Sequence, residues 1–409
     1  MGKRFYKQTI HDVDLRGRTV LVRADYNVPL TADGTISDNL RIRASLPTLQ
    51  YLLEQQCKIV VISHLGRPKG REAKYSLAPV AEHLAELLGR PVRFVDDCVG
   101  DKVRQMVKRM PSGVIVLENL RFYAEEEAND ETFARAIARA TGADYFIQDG
   151  FGVVHRAHAS TDALALCIPG VAGDLLTREY VTITEAMRAP KRPLVAVIGG
   201  AKVSDKIELI HRLIDQADTI LIGGAMANAF LQYRGHVIGK SVTEPGQTAV
   251  LRKIYQAAAR KVGAAKIDEL LVLPTDVAVA PNVDSQTRRE VTVDAIGPED
   301  MALDIGSQAI ERFTAVIAGA KTVIWNGPMG YASQEVFSIG SARVALAIAQ
   351  NKKVTSIVGG GDTADFVLKW DGHDGASFTH TSTGGGASME LMAGKKLPGI
   401  ERLLDAHGL

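Results

Sequence analysis

Five basic side chains in the N-terminal half have types and positions that suit the binding of an anion. They are Arg41, which opens a helical stretch, and His64, Arg67, Arg121 and Arg156, which follow short apolar runs. A guanidinium group binds a carboxylate or phosphate through two parallel hydrogen bonds, so converging arginines suit a small ligand with two anionic ends. The alternative is a set of scattered surface arginines, but their repeated placement after apolar runs argues against it.

Other polar residues occupy the same kind of position. Asp25 and Asn27 lie in ADYNVP directly after an apolar run, where such residues taken alone are typical of turns. His155, Arg156 and His158 fall within HRAH after another run, and this density of basic groups is hard to explain as a solvated face. We therefore expect an anion site where these segments meet.

Glycine-rich turns dominate the C-terminal half. The four stretches are GGAKVSDKI (199–207), NGPMG (326–330), GGGDTADF (359–366) and HTSTGGGASMEL (380–391). Glycines let the backbone approach a phosphate, and the N-termini of the following helices supply N–H donors and positive potential. Lys202 and Lys206 lie in the first stretch, and Asp362 is placed where a carboxylate could hold Mg²⁺ against phosphates. A single such loop is usually a turn, whereas four at strand ends favour a nucleotide site.

The elements that must position these residues alternate between short apolar runs and amphipathic segments. The runs are 19–24, 58–63, 113–117, 143–147, 194–198, 218–222, 270–273, 321–325 and 353–358. Short β-branched runs of this kind indicate buried strands of a parallel sheet, and the segments between them, such as 38–56 and 202–214, have helical periodicity. The pattern predicts an α/β protein with helices on both faces of each sheet. Ligands of such sheets bind at the carboxyl ends of the strands.

The chain has 409 residues, which favours two domains, and the break is best placed at 170–192. GVAGD (170–174) is interpreted as a turn and helix cap, followed by a helix over 175–189 and the stop signal PKRP. We predict domains at 1–173 and 193–389 with an interdomain helix in 174–192.

Composition and motif spacing exclude several function classes. The net charge of +1 gives no global reason to expect nucleic acid or membrane as a partner, and no apolar run is long enough to span a bilayer. Cys57, Cys98 and Cys167 are widely spaced, which fits reduced thiols in the cytoplasm. GHVIGKS (235–241) lacks the spacing of a P-loop, no G-x-G-x-x-G follows a strand, and no zinc-type spacing occurs.

Taken in order, the motifs resemble those of the phosphoglycerate kinase family over nearly the whole chain. They are VRADYNVP, NLRIRAS, SHLGRP, LENLRF, DGFGVVHRAHAS, GGAKVSDKI, GGAMANAF, LPTDVAVA, WNGPMG, GGGDTA and STGGGAS…GKKLPG. The resemblance implies two doubly wound, Rossmann-like parallel-sheet domains joined by a helix, with the tail 390–409 returning to complete the first domain. It also implies a magnesium-dependent, monomeric, hinge-bending enzyme of glycolysis.

The resemblance implies the following site residues. 3-Phosphoglycerate or 1,3-bisphosphoglycerate would contact Asp25, Tyr26, Asn27, Arg41, His64, Leu65, Gly66, Arg67, Arg121 and Arg156. ATP or ADP would contact Lys202, Lys206, Asn326, Pro328, Gly360, Gly361, Asp362 and Thr363, with Asp362 at the metal. The catalytic set would be Arg41, Lys202, Gly361 and Gly385.

Some positions depart from the family pattern. Ser333 stands where the family has a glutamate that holds the ribose, and Ala393 stands where a glutamate is usual. The family's DAFGTAH reads DGFGVVH, which changes Gly150, Val153 and Val154. These departures leave open a catalytically weakened member that binds ligands or regulates. Another α/β enzyme, such as an acyl-phosphate-forming ligase, is a further alternative that other carboxylate substrates would reveal.

Overall fold

The computed structural model describes residues 5–31 and 33–407. Its backbone divides into two compact units, Met1–Val181 with Lys396–Leu409, and Thr182–Lys395. The division falls inside the helix Asp174–Arg188. The predicted domain bounds stay a prediction. They are 1–173 for the first domain, completed by 390–409, 174–192 for the interdomain helix, and 193–389 for the second domain.

The first unit is built on a six-stranded parallel sheet. Its strands are β1 (Thr19–Arg23), β2 (Lys58–Ile62), β3 (Val92–Val95), β4 (Gly113–Leu117), β5 (Tyr145–Gln148) and β6 (Gly170–Ala172). They follow the spatial order β3-β4-β2-β1-β5-β6. Its helices are α1 (Leu40–Glu54), α2 (Ala78–Leu88), α3 (Gly100–Arg109), α4 (Ala124–Glu127), α5 (Glu131–Thr141), the start of α6 (Asp174–Arg188), and Pro398–Glu401. The order reverses at β1, so ligands are expected at the carboxyl ends of β2, β1 and β5.

The second unit contains a six-stranded parallel sheet and a small antiparallel one. The parallel strands are β7 (Leu194–Ile198), β8 (Thr219–Ile222), β9 (Leu271–Val272), β13 (Thr322–Asn326), β14 (Thr355–Gly359) and β15 (His380–Thr381). The antiparallel strands are β10 (Asp276–Ala280), β11 (Arg289–Thr292) and β12 (Met301–Ile305). The helices are α7 (Ile207–Gln216), α8 (Gly224–Tyr233), α9 (Thr248–Val262), α10 (Ile267–Leu270), α11 (Ser307–Gly319), α12 (Ile339–Gln350), α13 (Gly361–Asp371) and α14 (Gly386–Met392). The parallel order β15-β14-β13-β7-β8-β9 reverses between β13 and β7.

The strands form because apolar, β-branched runs are covered by helices on both faces. Val20, Leu21 and Val22 of β1 are fully buried, as are Val197 and Ile198 of β7. The predicted α/β class with two doubly wound parallel sheets is confirmed. No helix in 5–31 or 33–407 is both long and apolar enough to cross a membrane.

Three element predictions were wrong or incomplete. Residues 170–172 of the predicted turn form β6, because they pair in register with β5. The helix predicted over 202–214 begins at Ile207, after a turn of 3₁₀ helix at Ser204–Lys206. The antiparallel sheet was not predicted, because its short strands do not resemble the buried runs of the parallel sheets.

Candidate functional site

Asp25 and Arg41 form an ion pair at the carboxyl end of β1. Nη1 of Arg41 donates to Oδ2 of Asp25 over 2.7 Å, and Nδ1 of His64 lies 4.0 Å from Oδ1 of Asp25. Burial opposes ionisation of this carboxyl group, but the guanidinium charges, with Arg41 the largest effect and Arg23 a smaller one, help to lower the pKa of Asp25 to about 2. Asp25 is therefore an anion at neutral pH and orients the guanidinium group of Arg41.

The turn after β2 is held by the neighbouring strand ends. Oδ1 of Asn27 accepts from the backbone N–H of Gly66 at 2.8 Å, and Nη1 of Arg121 donates to the carbonyl of Gly66 at 2.6 Å. Gly66 has a φ of 62°, where an added Cβ would collide with the ring of Tyr75. The structure thus brings together Asn27, Gly66 and Arg121 from the ends of three neighbouring strands.

Arg121 is affected electrostatically by two other arginines of the predicted site. Burial lowers the pKa of Arg121, and the nearby cations Arg156 and Arg67 lower it further. The side chain of Arg121 is 6% exposed, with its Nε 3.2 Å from a carboxylate oxygen of Glu127. Mutually repelling cations at one edge are stabilised when an anion binds among them.

Tyr26 and Leu65, also predicted to contact substrate, turn their side chains into the core. Both are almost fully buried, and the hydroxyl of Tyr26 lies 2.9 Å from that of Ser45. The side-chain amide of Asn119 holds both backbone groups of Leu65. The side chains of Tyr26 and Leu65 therefore serve the core, and the predicted contact of either residue with a ligand stays a prediction.

In the second unit, the turns after β7 and β13 touch through their glycines. A Cβ added to Gly327 would lie 2.1 Å from the carbonyl oxygen of Gly199, and one added to Gly199 would lie 2.1 Å from that of Pro328. Gly327 also has a φ of 100°. The backbone of Gly200 donates to the carbonyl of Pro328 over 3.0 Å, so the predicted residue Pro328 has a structural contact here.

Lys206 lies across these two turns. Its Nζ donates to the carbonyls of Gly199 at 2.7 Å and Asn326 at 3.0 Å. Burial lowers the pKa of Lys206 to about 8, although Asp362 and Asp205 favour the charged form. The ammonium group is thus positioned between the carboxyl ends of adjacent strands, near the carboxylate of Asp362.

The turn after β14 leads directly into α13. Gly360 has a φ of 89°, and a Cβ there would lie 2.9 Å from Nδ2 of Asn326, a buried amide nitrogen. The hydroxyl of Thr363 is occupied in accepting from the backbone of Gly327 at 2.6 Å. Gly361 and Asp362 are exposed in the first turn of α13, where N–H donors and a carboxylate can both face a ligand.

Lys202 and Gly385 complete the predicted set. Lys202 is exposed. Burial opposes ionisation of the nearby Glu244, but hydrogen bonds from Ser204 outweigh it and lower the pKa of that carboxyl group, with a smaller contribution from Lys202. Gly385, with a φ of 50°, precedes α14, whose Ser388 hydroxyl accepts from the backbone of Gly360 at 3.3 Å. The structure groups Gly385 with the turn after β14, whereas it does not show Lys202 bound to the other predicted nucleotide residues.

Several residues that hold the first unit's site were missed in the sequence. Arg23 lies inside the predicted run 19–24 and is the last residue of β1; it is 1% exposed. Its Nη2 lies 3.2 Å from Nδ1 of His64, and its Nη1 donates to the carbonyl of Ala24. An arginine within a buried parallel strand is unusual, and that alone could have revealed it.

The departures from the family pattern fall in two kinds of place. A Cβ at Gly150 would lie 3.2 Å from backbone atoms of Arg23 and Ala24, so glycine relaxes a tight contact beside the site. Val153 and Val154 are buried in the core, whereas Ser333 is exposed. None of these positions carries a charge of the anion-binding edge.

Known proteins with similar sequences and structures belong to one family. The family model described as "Phosphoglycerate kinase" matches residues 10–395. The curated phosphoglycerate kinase of Pelotomaculum thermopropionicum is 45% identical over 98% of this chain and 99% of its own, and that of Moorella thermoacetica is 46% identical over 98% and 99%. The solved phosphoglycerate kinase structure from Coxiella burnetii has a TM-score of 0.83 at 34% identity, covering 97% of this chain and 98% of the other. That from Pyrococcus horikoshii has a TM-score of 0.81 at 30% identity, with the same coverage.

The fold and these matches define an α/β enzyme, a phosphotransferase. The chain belongs to the phosphoglycerate kinase family, and the resemblance noted in its motifs is confirmed. The relatives give no support to the non-catalytic alternative.

Proposed function

We propose that the chain uses these residues to transfer a phosphoryl group reversibly between 1,3-bisphosphoglycerate and ADP, giving 3-phosphoglycerate and ATP. The observation that carries the proposal is the convergence of Arg41, His64, Arg121 and their neighbours at one sheet edge. A ligand with a carboxyl or acyl phosphate group at one end and a phosphate at the other matches this group of arginines and its histidine donor.

In the first unit, the arginines bind and orient the substrate. The ionised carboxylate of Asp25 holds the guanidinium group of Arg41 and fixes its orientation. Arg67, Arg121 and Arg156 supply the charge that neutralises the distant phosphate. Asn27 and Gly66 act by fixing the turn that presents His64 and Arg67.

In the second unit, the glycine turns bind the nucleotide phosphates. Backbone N–H groups at the start of α13, including that of Gly361, favour anions because the helix N-terminus leaves them unpaired. Lys206 contributes a cation from between the turns, and we assign exposed Lys202 to the phosphoryl group that moves. Asn326, Pro328, Gly360 and Thr363 shape the turns rather than supply charge.

Mg²⁺ would be held by Asp362 together with nucleotide phosphate oxygens. In the described parts of the chain, no three His, Cys, Asp or Glu side chains cluster to form a metal site. A single exposed carboxylate beside phosphate-binding turns fits a cation that keeps several waters and shares phosphate ligands. When bound, the ion would offset the negative charge of the phosphates.

The chemistry then requires positioning more than proton transfer. The attacking carboxylate is already ionised, so no general base is needed. Arg41, Lys202 and the N–H groups of Gly361 and Gly385 would stabilise the charge on the equatorial oxygens. We further propose that both ligands together draw the units closer and exclude water, as hinge-bending implies.

We also propose a monomer in the cytoplasm. The three cysteines are free thiols, which suits a reducing compartment, and the small net charge suits a protein that binds neither nucleic acid nor membrane.

The test is ATP consumption by the purified protein with 3-phosphoglycerate and Mg²⁺, using hydroxylamine to trap the acyl phosphate. We expect turnover that requires 3-phosphoglycerate and collapses in Lys202→Ala. Hydroxamate formed equally well from other carboxylates would instead support a ligase with a different substrate.

A further inference from the structure

A buried carboxylate, Glu126, lies behind the cationic edge of the first unit and is not explained by ligand contact. Its side chain is 1% exposed although its neighbours in α4, Glu125 and Glu127, are exposed. An ionisable group is seldom buried completely unless it is paired and hydrogen-bonded. Glu126 must therefore have internal partners.

Those partners belong to the segment after β5. The hydroxyl of Ser160 donates to Oε1 of Glu126 at 2.6 Å, and the backbone N–H of Ser160 donates to Oε2 at 3.0 Å. The backbone of Ala159 also donates to the carbonyl of Glu126 at 2.9 Å. The hydrogen bonds of Glu126 thus connect the segment that contains Arg156 to the segment that contains Arg121.

The connection continues from Ser160 to Arg23. Nε of Arg23 donates to the Ser160 hydroxyl oxygen at 2.8 Å, while Nη2 of Arg23 lies 3.2 Å from Nδ1 of His64. Every nitrogen of a guanidinium group is a donor, so Nδ1 of His64 must accept this hydrogen bond. The single ring proton of a neutral His64 is then on Nε2.

His64 is kept neutral by its surroundings. Burial lowers the pKa of His64 well below its usual range, and Arg23, Arg121 and Arg41 lower it further, while Asp25 opposes them. A neutral ring with its proton on Nε2 can donate one hydrogen bond to a bound anion. The opposite tautomer would present a lone pair and repel that anion.

We propose that Glu126 is a positioning residue, which acts through Ser160 and Arg23 to hold His64 as the Nε2–H donor for the substrate. The effect on substrate rests on the proposed function, whereas the tautomer does not. Glu126 does not touch the ligand in this account. It orients a guanidinium group, and that group sets the proton on the imidazole ring.

The test compares Ser160→Ala and Glu126→Gln with wild type, and Glu125→Gln serves as the matched control from the exposed face of α4. Glu126→Gln keeps the side-chain shape and removes the charge, so it guards against a Ser160→Ala variant that fails to fold. Ring-nitrogen chemical shifts of His64 report the tautomer without any turnover. Steady-state kinetics report KM for 3-phosphoglycerate and for ATP.

We expect both variants to mix the His64 tautomers and to raise KM for 3-phosphoglycerate about three- to tenfold, the scale of one coupled polar contact, with KM for ATP unchanged. Glu125→Gln should behave as wild type. An unchanged tautomer, or equal rises in both KM values, would overturn the positioning role. Wild-type protein inactive on 3-phosphoglycerate would instead refute the proposed function, and the chemical shifts would still decide the tautomer.

Discussion

The pKa of about 8 for Lys206 predicts that nucleotide use declines in mild alkali. The pKa is lowered by burial, while Asp362 and Asp205 hold it from falling further. Above pH 8 the free enzyme loses the ammonium charge, and at pH 9 about one molecule in ten keeps it. Half of the molecules carry the charge at pH 8, so we expect kcat/KM for ATP to fall about fivefold between pH 8 and pH 9.

At high pH, kcat/KM for ATP should level off at the value of an enzyme without the ammonium charge, which Lys206→Met measures. A hydrogen bond to a charged group contributes about 1.5–3 kcal/mol, so this variant should lower kcat/KM for ATP about 10- to 100-fold and abolish the alkaline decline. Asp205→Asn, which removes a charge that favours protonated Lys206, should move the decline to lower pH. The assay is initial-rate kinetics at saturating 3-phosphoglycerate. An alkaline decline that persists in Lys206→Met would refute the assignment.

Three further predictions concern other parts of the site. Arg41→Ala should lower kcat about 10²–10³-fold, the scale of one lost charge-stabilising donor, and near-normal kcat would contradict its role. Gly327→Ala should lower the free energy of unfolding by about 1–3 kcal/mol and weaken ADP binding in calorimetry, because the added Cβ would meet the carbonyl of Gly199. Gly319→Ala is the control, because a Cβ at Gly319 would meet open space. The pKa of Asp25, lowered from 3.8 to about 2, contributes about 2 kcal/mol of stability at neutral pH, which is lost as pH falls from about 4 to 2. In urea unfolding, Asp25→Asn should therefore have a lower free energy of unfolding than wild type at pH 7. The two values should converge near pH 2.

The parallel sheets could be predicted because buried strands leave continuous apolar runs. Each of the nine predicted runs overlaps a strand of the structure, and most of the polar residues after them lie at the strand ends. That placement predicted His64 and Arg121 as site residues, since parallel strands present their carboxyl ends at one edge, whereas Arg41 was predicted from its position at the start of a helical stretch.

The supporting residues could not be predicted because their roles depend on burial. Glu126 lies in the acidic stretch AEEE, where one glutamate cannot be told from its neighbours by sequence. Arg23 was hidden inside an apolar run. The inward turn of Tyr26 likewise depends on Ser45, which lies on a different element.

The central claim, that each unit binds one substrate, is tested most directly by calorimetry on two variants. We expect Arg156→Met to lose 3-phosphoglycerate binding and keep Mg²⁺–ADP binding, and Lys206→Met to show the reverse loss. If Arg156→Met bound 3-phosphoglycerate as wild type does, or if either variant lost both ligands while still folded, the assignment of the two sites would be contradicted.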